Sequence, residues 1–476
     1  MHEEIKTYKE KIFYHPLFLV LIYLFAHFLI RISFSDTLQV DDREQIFIAQ
    51  ELKLGYDMPQ PPLYSWLSYF FFQIFGANIY ALSILKYLLI FLTFSYLWRA
   101  TKILELNNQK KKILLFSYLL MPSFAWHMHQ GFTHTILLGL GIAMSFYYLM
   151  KILEYETSPK NYFLLGVSLG IGIMGKYSFI IFSILTLLSI ISITPIKKLF
   201  LKKELAFLIF GLVVVAMPHF FWLIGNSNEI ITLANDRLNI SSKSISSNFF
   251  AQTKIVLSSF LGFISPLFLF IFYYKRNANI KSKRLSEFFL DRFFIFVLIL
   301  GITLPFFISF PEVKVRWLHP VLMLFPFWLI FKLDDSCSYK KVFNLVIVVF
   351  TLAIIFVRLA QVTVGPKFGY YSRINIPITN ALEKIPENLL DEVDVIKTND
   401  YFLGPHLFNT FPGKEIVIFK KRFNSLVTQN KKRCLILMDD DQDQSLDPLG
   451  FEKILISQGS FNYSLYYKIK ALNECY

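Results

Sequence analysis

The sequence predicts a polytopic α-helical membrane protein that ends in a small α/β domain. Three observations support this fold class. The 476 residues are 55% hydrophobic and 18% aromatic, which is typical of membrane proteins. Long apolar runs recur along the first 360 residues, and lysines and arginines lie in short clusters between them. After about residue 361 the composition becomes charged and mixed.

Eleven apolar runs approach the length of about 20 residues that a helix needs to cross a bilayer. They lie near residues 16–34, 77–98, 112–128, 131–150, 161–176, 178–194, 204–224, 251–273, 293–310, 317–332 and 342–360. The first run lacks a small-residue cleavage site, so we expect a retained anchor rather than a signal peptide. The run from Leu63 to Phe75 is too short to span and predicts a helix in the membrane interface.

The basic residues favour one side of this topology. If the N-terminus is cytoplasmic, most of them fall in cytoplasmic loops, as the positive-inside rule requires. The main clusters are 99–112, 151–160, 197–203, 275–292 and 332–341. The net charge of +14 therefore reflects membrane topology, and no nucleic-acid partner is expected. Eleven spans place the C-terminal region outside.

Four strand-like runs follow residue 361, namely EVDVIKT, KEIVIFK, RCLILMD and NYSLYYKIK. We predict a transmembrane domain over 1–360, with a first external loop at 36–76, and an external α/β domain over 361–476. The spacing of Cys337, Cys434 and Cys475 suggests neither a zinc site nor a redox pair. Whether Cys434 and Cys475 pair is left open, because an external domain permits a disulfide but does not require one.

Two adjacent acids, Asp41 and Asp42, and a third, Glu44, stand close together in the first external loop, shortly after the first apolar run. In a helix Asp41 and Glu44 would share a face, while Asp42 would point elsewhere. One carboxylate could act as a general base while another positions a hydroxyl or an ion. The alternative is structural, because Asp41 or Asp42 could cap the helix that follows. This helix is predicted to end at Gly55.

The next turn, GYDMPQPPLYSW, is predicted to start a new helix at Pro61 and Pro62. Its Tyr64 and Trp66 suit the headgroup layer of a membrane. The order of these features resembles the lipid-dependent membrane glycosyltransferases of the GT-C fold. The likeness is greatest to the dolichyl-phosphate-mannose protein mannosyltransferases and the bacterial aminoarabinose transferases of lipid A. It continues in FTHTILLGLGIAMSFYYLMKILEY, NYFLLGVSLGIGIMGKYSFIIF and PEVKVRWLHPVLMLFPFWLIF, and so covers most of residues 36–332.

The resemblance implies a sugar donor on a polyprenyl phosphate, with its tail in the bilayer and its sugar at the external face. Asp41 matches the essential acid of the family, and Asp42 stands where Glu is usual. Gln60 matches a lysine that meets phosphate in the aminoarabinose transferases, and a neutral amide cannot neutralise a phosphate. His134 stands where many members carry an aspartate, so this position can keep a polar role.

Two cations are candidates for binding the donor phosphate. Lys176 lies between two apolar runs, where an ammonium group is costly and often functional, although it could also reach the headgroups as an anchor. Arg316, with Lys314 nearby, could bind phosphate in a bidentate manner or anchor the chain beside Trp317. The substrate cavity is predicted to include Tyr56, Tyr64, Trp66, His129 and His134. Asp41, Asp42, His134, Lys176 and Arg316 are all expected on one membrane face.

No cofactor is predicted with certainty, and a divalent metal ion is left open. The acidic run from Asp439 to Asp443 is more typical of a solvated loop than of a metal site. We expect transfer of one sugar, with inversion, to a cell-envelope acceptor such as lipid A, lipopolysaccharide core or another glycolipid. The expected location is the periplasmic side of a bacterial inner membrane. The alternatives are a protein O-mannosyltransferase-like enzyme, a lipid-linked sugar flippase, a structural subunit and an oligosaccharide ligase.

Overall fold

A computed structural model of the chain is mostly helical, with one sheet near the C-terminus. It describes residues 15–35, 37–56, 58, 60–155, 157–238, 249–268, 284–307, 313–333, 340–372, 374–400, 403–418, 421–423, 433–439, 451–458 and 461–471. Within these ranges, seven helices are long and apolar enough to cross a membrane. All seven coincide with apolar runs of the sequence, because only a helix satisfies every backbone hydrogen bond within one segment in lipid.

The helices up to residue 238 are as follows: α1 Pro16–Ser33, α2 Val40–Ile48, α3 Leu63–Phe75, α4 Ile79–Ile103, α5 Asn108–Ser117, α6 Pro122–Ala125, α7 His134–Glu154, α8 Pro159–Gly175, α9 Phe179–Ile191, α10 Thr194–Leu199 and α11 Leu205–Leu238. Those after residue 248 are α12 Phe249–Ile264, α13 Leu285–Phe307, α14 His319–Leu322, α15 Phe325–Lys332, α16 Lys340–Thr363, α17 Ile378–Leu382, α18 Glu387–Asp391 and α19 Gly404–Thr410.

Four of the eleven predicted spans do not form a single long helix in the structure. The runs near 112–128 and 317–332 are each broken into short helices, and those near 161–176 and 178–194 correspond to helices of 17 and 13 residues. Pro122 and Pro326 stand in the first turns of α6 and α15, where proline starts a helix because it cannot continue one. The count of eleven spans stays a prediction.

The chain divides into two compact units, which are treated separately below. The large unit comprises residues 1–25, 53–64 and 86–354, and the small unit comprises 26–52, 65–85 and 355–476. The predicted boundary at residue 360 stays a prediction. By compactness, α2 belongs to the small unit together with the C-terminal segment.

In the large unit, α8 packs closely against α7 on one side and α11 on the other. A Cβ atom on Gly141 of α7 would lie 2.4 Å from the Cα atom of Gly172, and one on Gly166 would lie 2.0 Å from the carbonyl oxygen of Leu208. Only glycine permits such contacts, and small residues are the usual means by which membrane helices approach. This packing fixes the end of α8, from which Lys176 follows.

The small unit contains a six-stranded mixed sheet. Its strands are β1 Val395–Thr398, β2 Glu415–Ile418, β3 Lys421–Phe423, β4 Arg433–Asp439, β5 Glu452–Gln458 and β6 Phe461–Ala471, in the order β3-β2-β1-β4-β6-β5. The parallel strands β2, β1 and β4 form the centre, and β3, β6 and β5 add antiparallel pairs. The four predicted strands are confirmed, while β3 and β5 lay outside the sequence prediction.

The core of the small unit joins segments that are far apart in the sequence. Leu38, Ile46 and Ala49, in and around α2, are buried in one cluster with Ile396 and Leu435 of the sheet. The Thr37 hydroxyl also donates to the carbonyl oxygen of Ile376, 339 residues away, at 2.7 Å. The acid-bearing helix is therefore built into the core of the C-terminal region.

Candidate functional site

The three acids Asp41, Asp42 and Glu44 lie on α2, as predicted, in the small unit. The helix begins at Val40 with Gln39 as its N-cap residue, and Gln39 forms no side-chain cap hydrogen bond. Neither Asp41 nor Asp42 is therefore the N-cap, although both lie in the first turn, where a carboxylate interacts favourably with the helix dipole. Asp41 is half-buried, whereas Asp42 and Glu44 are buried.

Asp42 forms a buried ion pair with Arg31. A guanidinium nitrogen of Arg31 lies 3.2 Å from Oδ2 of Asp42, and their side chains are only 4% and 3% exposed. The same guanidinium donates to the Ser35 hydroxyl at 2.7 Å and to the Thr37 carbonyl oxygen at 2.8 Å. Asp42 is thus held by the end of the first helix, and this contact fixes the orientation of the first turn of α2.

His406 of α19 lies in the same region, because α19 packs against α2. Burial, together with the nearby positive charges of Arg43 and Arg31, lowers the pKa of His406 to about 3. The imidazole is therefore neutral at neutral pH, and the small unit holds it in a form that disfavours protonation. The sequence prediction did not include His406.

Lys176 lies at the junction of α8 and α9, in the large unit. Its side chain is 8% exposed, and its Nζ atom donates to the Thr135 hydroxyl at 2.8 Å. Its backbone is extended and ends α8 directly after Gly175, where a Cβ atom would lie 3.2 Å from the carbonyl carbon of Leu137. A buried ammonium group that bonds inside the protein is unlike an anchor that reaches the headgroups, and the role of Lys176 at a donor phosphate stays a prediction.

His134 and Tyr64 lie beside this junction. Nδ1 of His134 donates to the Gly175 carbonyl oxygen at 3.2 Å, and the His134 ring lies 5.6 Å from that of Tyr64. His134 begins α7 and is followed at once by Thr135, the partner of Lys176. The predicted residues Tyr64, His134 and Lys176 thus form one connected group.

The segment that precedes α7, residues 126–133, contacts a second group, which includes a residue absent from the sequence prediction. The Nζ atom of Lys86, on α4, donates to the Gln130 carbonyl oxygen at 2.8 Å, and Lys86 is 3% exposed. His129 lies 3.1 Å from the Tyr23 hydroxyl and stacks on Tyr87 at 5.8 Å. A single lysine inside the apolar run 77–98 was the signal that could have identified Lys86.

Arg316 lies on the 3-10 turn Val315–Trp317 and is half-buried, and Lys314 is exposed. The neighbouring His319 is fully buried, with its Nε2 atom 2.8 Å from the Ser123 hydroxyl and the ring of Phe124 at 5.7 Å. His319 lies within electrostatic range of Lys176. It was also absent from the predicted site, since a histidine between Leu318 and Pro320 carries no distinctive sequence signal.

The other predicted cavity residues lie on or beside the loop 53–64. Tyr56 is buried and Gln60 is half-buried in the large unit, while Trp66 is half-buried in the small unit. The helix predicted to reach Gly55 ends at Ile48. Gly55 instead lies against Trp222, where a Cβ atom would be 2.2 Å from the indole ring. Glycine is therefore needed at this position for a close approach.

Some of the residues considered for a metal site or a disulfide lie outside the part of the chain that the structure describes. Across the described ranges, no group of three or more His, Cys, Asp or Glu side chains is placed to hold a metal ion. Asp439 ends β4, and the rest of the acidic run lies outside those ranges, as do Cys337 and Cys475. Cys434 is fully buried and disulfide-bonded. Whether Cys475 is the partner stays open, because it lies outside the described ranges.

The large unit therefore gathers cations and polar side chains around one loop. Lys86 and Lys176 both donate hydrogen bonds to residues between 130 and 135. Ammonium groups in a water-poor site stabilise negative charge as it develops on a leaving group. The acids belong to the small unit, so their convergence with Lys176 and Arg316 stays a prediction.

Comparison with known proteins gives matches over most of the chain. The dolichyl-phosphate-mannose-protein mannosyltransferase family matches residues 59–222. The chain is 25% identical over 432 residues to lipopolysaccharide core galacturonosyltransferase RgtB of Rhizobium johnstonii, covering 88% of this chain and 86% of the relative. It is 24% identical over 414 residues to galacturonosyltransferase RgtA of the same organism, covering 84% of this chain and 81% of the relative.

Two solved structures share the fold. The chain is similar to ArnT from Cupriavidus metallidurans bound to undecaprenyl phosphate, with a TM-score of 0.62 and 12% identity over 94% of this chain and 97% of that chain. Its similarity to the apo form of ArnT gives a TM-score of 0.59 with 11% identity and the same coverage. The resemblance found in the sequence is confirmed, and the chain is a membrane glycosyltransferase of the GT-C fold.

Proposed function

We propose that this glycosyltransferase moves one sugar from a polyprenyl phosphate, such as undecaprenyl phosphate, to a cell-envelope glycolipid. The acceptor would be lipopolysaccharide core or lipid A, on the periplasmic side of a bacterial inner membrane. Two relatives named as lipopolysaccharide core galacturonosyltransferases support the acceptor, and the ArnT complex with undecaprenyl phosphate supports the donor. Galacturonic acid is the first sugar to test.

The observation that carries the proposal is the buried ammonium group of Lys176. Its position is set by the end of α8 and by the hydrogen bond to Thr135. A donor phosphate brings the negative charge that a cation at such a depth favours, and this charge increases as the bond to the anomeric carbon breaks. Lys86 adds a second buried cation to the same loop, and Arg316 is proposed as a third contact.

In the proposed reaction, an acceptor hydroxyl attacks the anomeric carbon in line with the departing phosphate, so the configuration inverts. The new C–O bond forms as the bond to the phosphate oxygen breaks, and the polyprenyl phosphate keeps the electron pair. Asp41 accepts the hydroxyl proton, while Glu44 supports it on the same helix face and Asp42 holds the helix through Arg31. If the acceptor is itself a phosphate, Asp41 orients the sugar instead.

The test is sugar transfer in membranes supplied with a polyprenyl-phosphate sugar and acceptor glycolipid. Lys176→Gln is expected to reduce transfer by about 10²-fold, the range found when one stabilising donor is removed. Lys176→Arg should retain part of the activity, because it keeps the charge. Lys160→Gln, at the other end of α8, is the matched control, since this side chain is exposed and lies outside the proposed site. Full activity of a folded Lys176→Gln variant would contradict the proposal.

A second candidate is mannose transfer to a protein, which the match of residues 59–222 to the mannosyltransferase family favours. The two candidates differ in donor and acceptor. Mass spectrometry of glycolipids and of envelope proteins, from cells with and without the chain, separates them. A mass difference confined to the glycolipids supports the first candidate, and one confined to proteins supports the second.

A further inference from the structure

A cavity of about 440 Å³ opens among α7, α8, α9, α10 and α11 of the large unit. Its wall is mostly apolar, and its polar lining includes Ser145, Thr186 and Lys197. The cavity lies away from the proposed donor site, because Ser145 is eleven residues along α7 from His134, or roughly 16 Å at the helical rise. Its volume falls within the usual range of about 300–1,000 Å³ for small-molecule sites.

The cavity exists because α9 is short. Its 13 residues extend only about 20 Å, whereas the hydrocarbon core of a bilayer is about 30 Å thick. The short helix α10 and the turn after it close the remaining depth. Leu187, Ile191 and Leu201 line the cavity and are 54%, 50% and 70% exposed, so the cavity opens sideways where lipid would surround the protein.

Two of the residues that line this cavity carry buried hydroxyl groups. Ser145 and Thr186 are 2% and 9% exposed, and across the described residues neither hydroxyl has a hydrogen-bond partner. A buried hydroxyl left without a partner is destabilising, because it has lost its hydrogen bonds to water. An occupant that carries acceptor oxygens would remove this cost. A pure hydrocarbon chain, including a polyprenyl tail, offers no acceptor.

The mouth of the cavity carries a positive charge. Lys197 lies on α10, and Lys198, Lys202 and Lys203 follow close by in a region where Glu204 is the nearest acid in sequence. The Tyr162 hydroxyl donates to the Leu199 carbonyl oxygen at 2.7 Å, which fixes the end of α10. Lys197 lines the cavity while its neighbour Lys198 does not. The charge distribution predicts that this end is cytoplasmic.

We propose that this cavity binds an anionic glycerophospholipid of the adjacent leaflet. One acyl chain occupies the apolar slot, and the phosphate lies on Lys197. Ester carbonyl oxygens, which lie deeper than the phosphate in a bilayer, accept hydrogen bonds from the Ser145 and Thr186 hydroxyls. The site is separate from the donor site and does not depend on which sugar is transferred.

The experiment uses the full-length protein, purified in detergent, stripped of lipid and titrated with phosphatidylglycerol. Native mass spectrometry is expected to show one tightly bound lipid per chain, with a raised unfolding temperature. Diacylglycerol, which has the same chains and esters but no phosphate, should bind at least about tenfold more weakly. Lys197→Gln should weaken phosphatidylglycerol binding by about tenfold, and Lys198→Gln is the matched control.

Further variants locate the lipid within the cavity. Thr186→Val should weaken binding, whereas Ser183→Ala should not, because the Ser183 hydroxyl already donates to the Phe179 carbonyl oxygen at 3.2 Å. Ser145→Phe should fill the slot and abolish binding. Unchanged binding by Ser145→Phe, or equal effects of Lys197→Gln and Lys198→Gln, would overturn the proposal. It would also fail if polyprenyl phosphate displaced phosphatidylglycerol at equal concentration, because that result assigns the slot to a polyprenyl tail.

Discussion

In the small unit, helix α2 carries Asp41, Asp42 and Glu44. In the large unit, Lys86 and Lys176 lie beside the start of α7. The two regions hold their charged groups by different means. In the small unit, Asp42 pairs with Arg31 next to a hydrophobic core of the kind found in water-soluble α/β domains. In the large unit, Lys176 is positioned by membrane helices that touch through Gly141 and Gly172. Ion pairing and apolar burial hold the first group, and backbone contact holds the second.

The comparison shows that neighbouring charges on one helix can serve different purposes. Asp42 is committed to the fold by its contact with Arg31, whereas Asp41 is one residue away and half-buried. Changes to these two residues should therefore affect different properties. Four predictions test how each unit holds its charged groups, from the largest expected effect to the smallest.

Asp41→Asn should give the largest effect. If Asp41 accepts the proton of the acceptor hydroxyl, transfer should fall by about 10²–10⁴-fold, while the unfolding temperature changes little. Transfer assays and thermal unfolding of the purified protein measure the two properties. Glu51→Gln, an exposed acid three residues after α2, is the control. Normal transfer by folded Asp41→Asn would end the assignment of Asp41 as the base.

Asp42→Asn should act on stability instead. The change leaves the Arg31 charge buried without this carboxylate, and breaking such a pair typically costs about 3–5 kcal/mol. Thermal unfolding should show this loss. The double variant Arg31→Gln with Asp42→Asn should recover part of it, because no buried charge of the pair remains. Additive losses in the double variant would argue against coupling between the two side chains.

Gly141→Ala tests how the large unit positions Lys176. The new Cβ atom would meet the Gly172 backbone at 2.4 Å, so α7 and α8 must separate at a cost of about 1–3 kcal/mol. The apparent affinity for the polyprenyl-phosphate donor should fall as well, because the separation displaces Lys176. Gly262→Ala on α12 is the matched control, because no residue that the structure describes lies within 4 Å of its Cβ position. If Gly141→Ala and Gly262→Ala changed stability and donor affinity equally, this result would contradict the proposed role of the glycine contact.

The smallest effect concerns pH and His406. Its pKa of about 3 in the folded protein lies below the ordinary value of 6.5, so the unfolded chain binds the proton more tightly between these values. As far as His406 is concerned, the folded state has its full stability above pH 6.5 and loses stability as the pH falls from 6.5 towards 3. Thermal unfolding at pH 7.5 and 5.5 should show a loss of about 1 kcal/mol that His406→Gln reduces. An unchanged pH dependence in the variant would contradict this origin.

Sequence reasoning succeeded where the signal is local. Apolar runs predicted the seven long helices, and the run from Leu63 to Phe75 forms one helix, which begins just after the two prolines predicted to start it. Alternating apolar residues predicted four of the six strands. The strands β3 and β5 were missed because β3 has only three residues and β5 pairs with β6 alone. Lys86 was missed because an isolated lysine in an apolar run has no companion motif.

The sequence by itself determined the membrane class, the strand-bearing C-terminal region, the glycosyltransferase family and the choice of Lys176 as a candidate. These depend on hydropathy, charge order and short motifs, which are local properties. Only the tertiary structure decided that Asp42 is an ion-pair partner, that Lys86 bonds to the segment before α7, and that α2 shares a core with the sheet. In the same unit, a hydrogen bond joins Thr37 to Ile376 across 339 residues, and pairing at such separations depends on packing that no local pattern encodes.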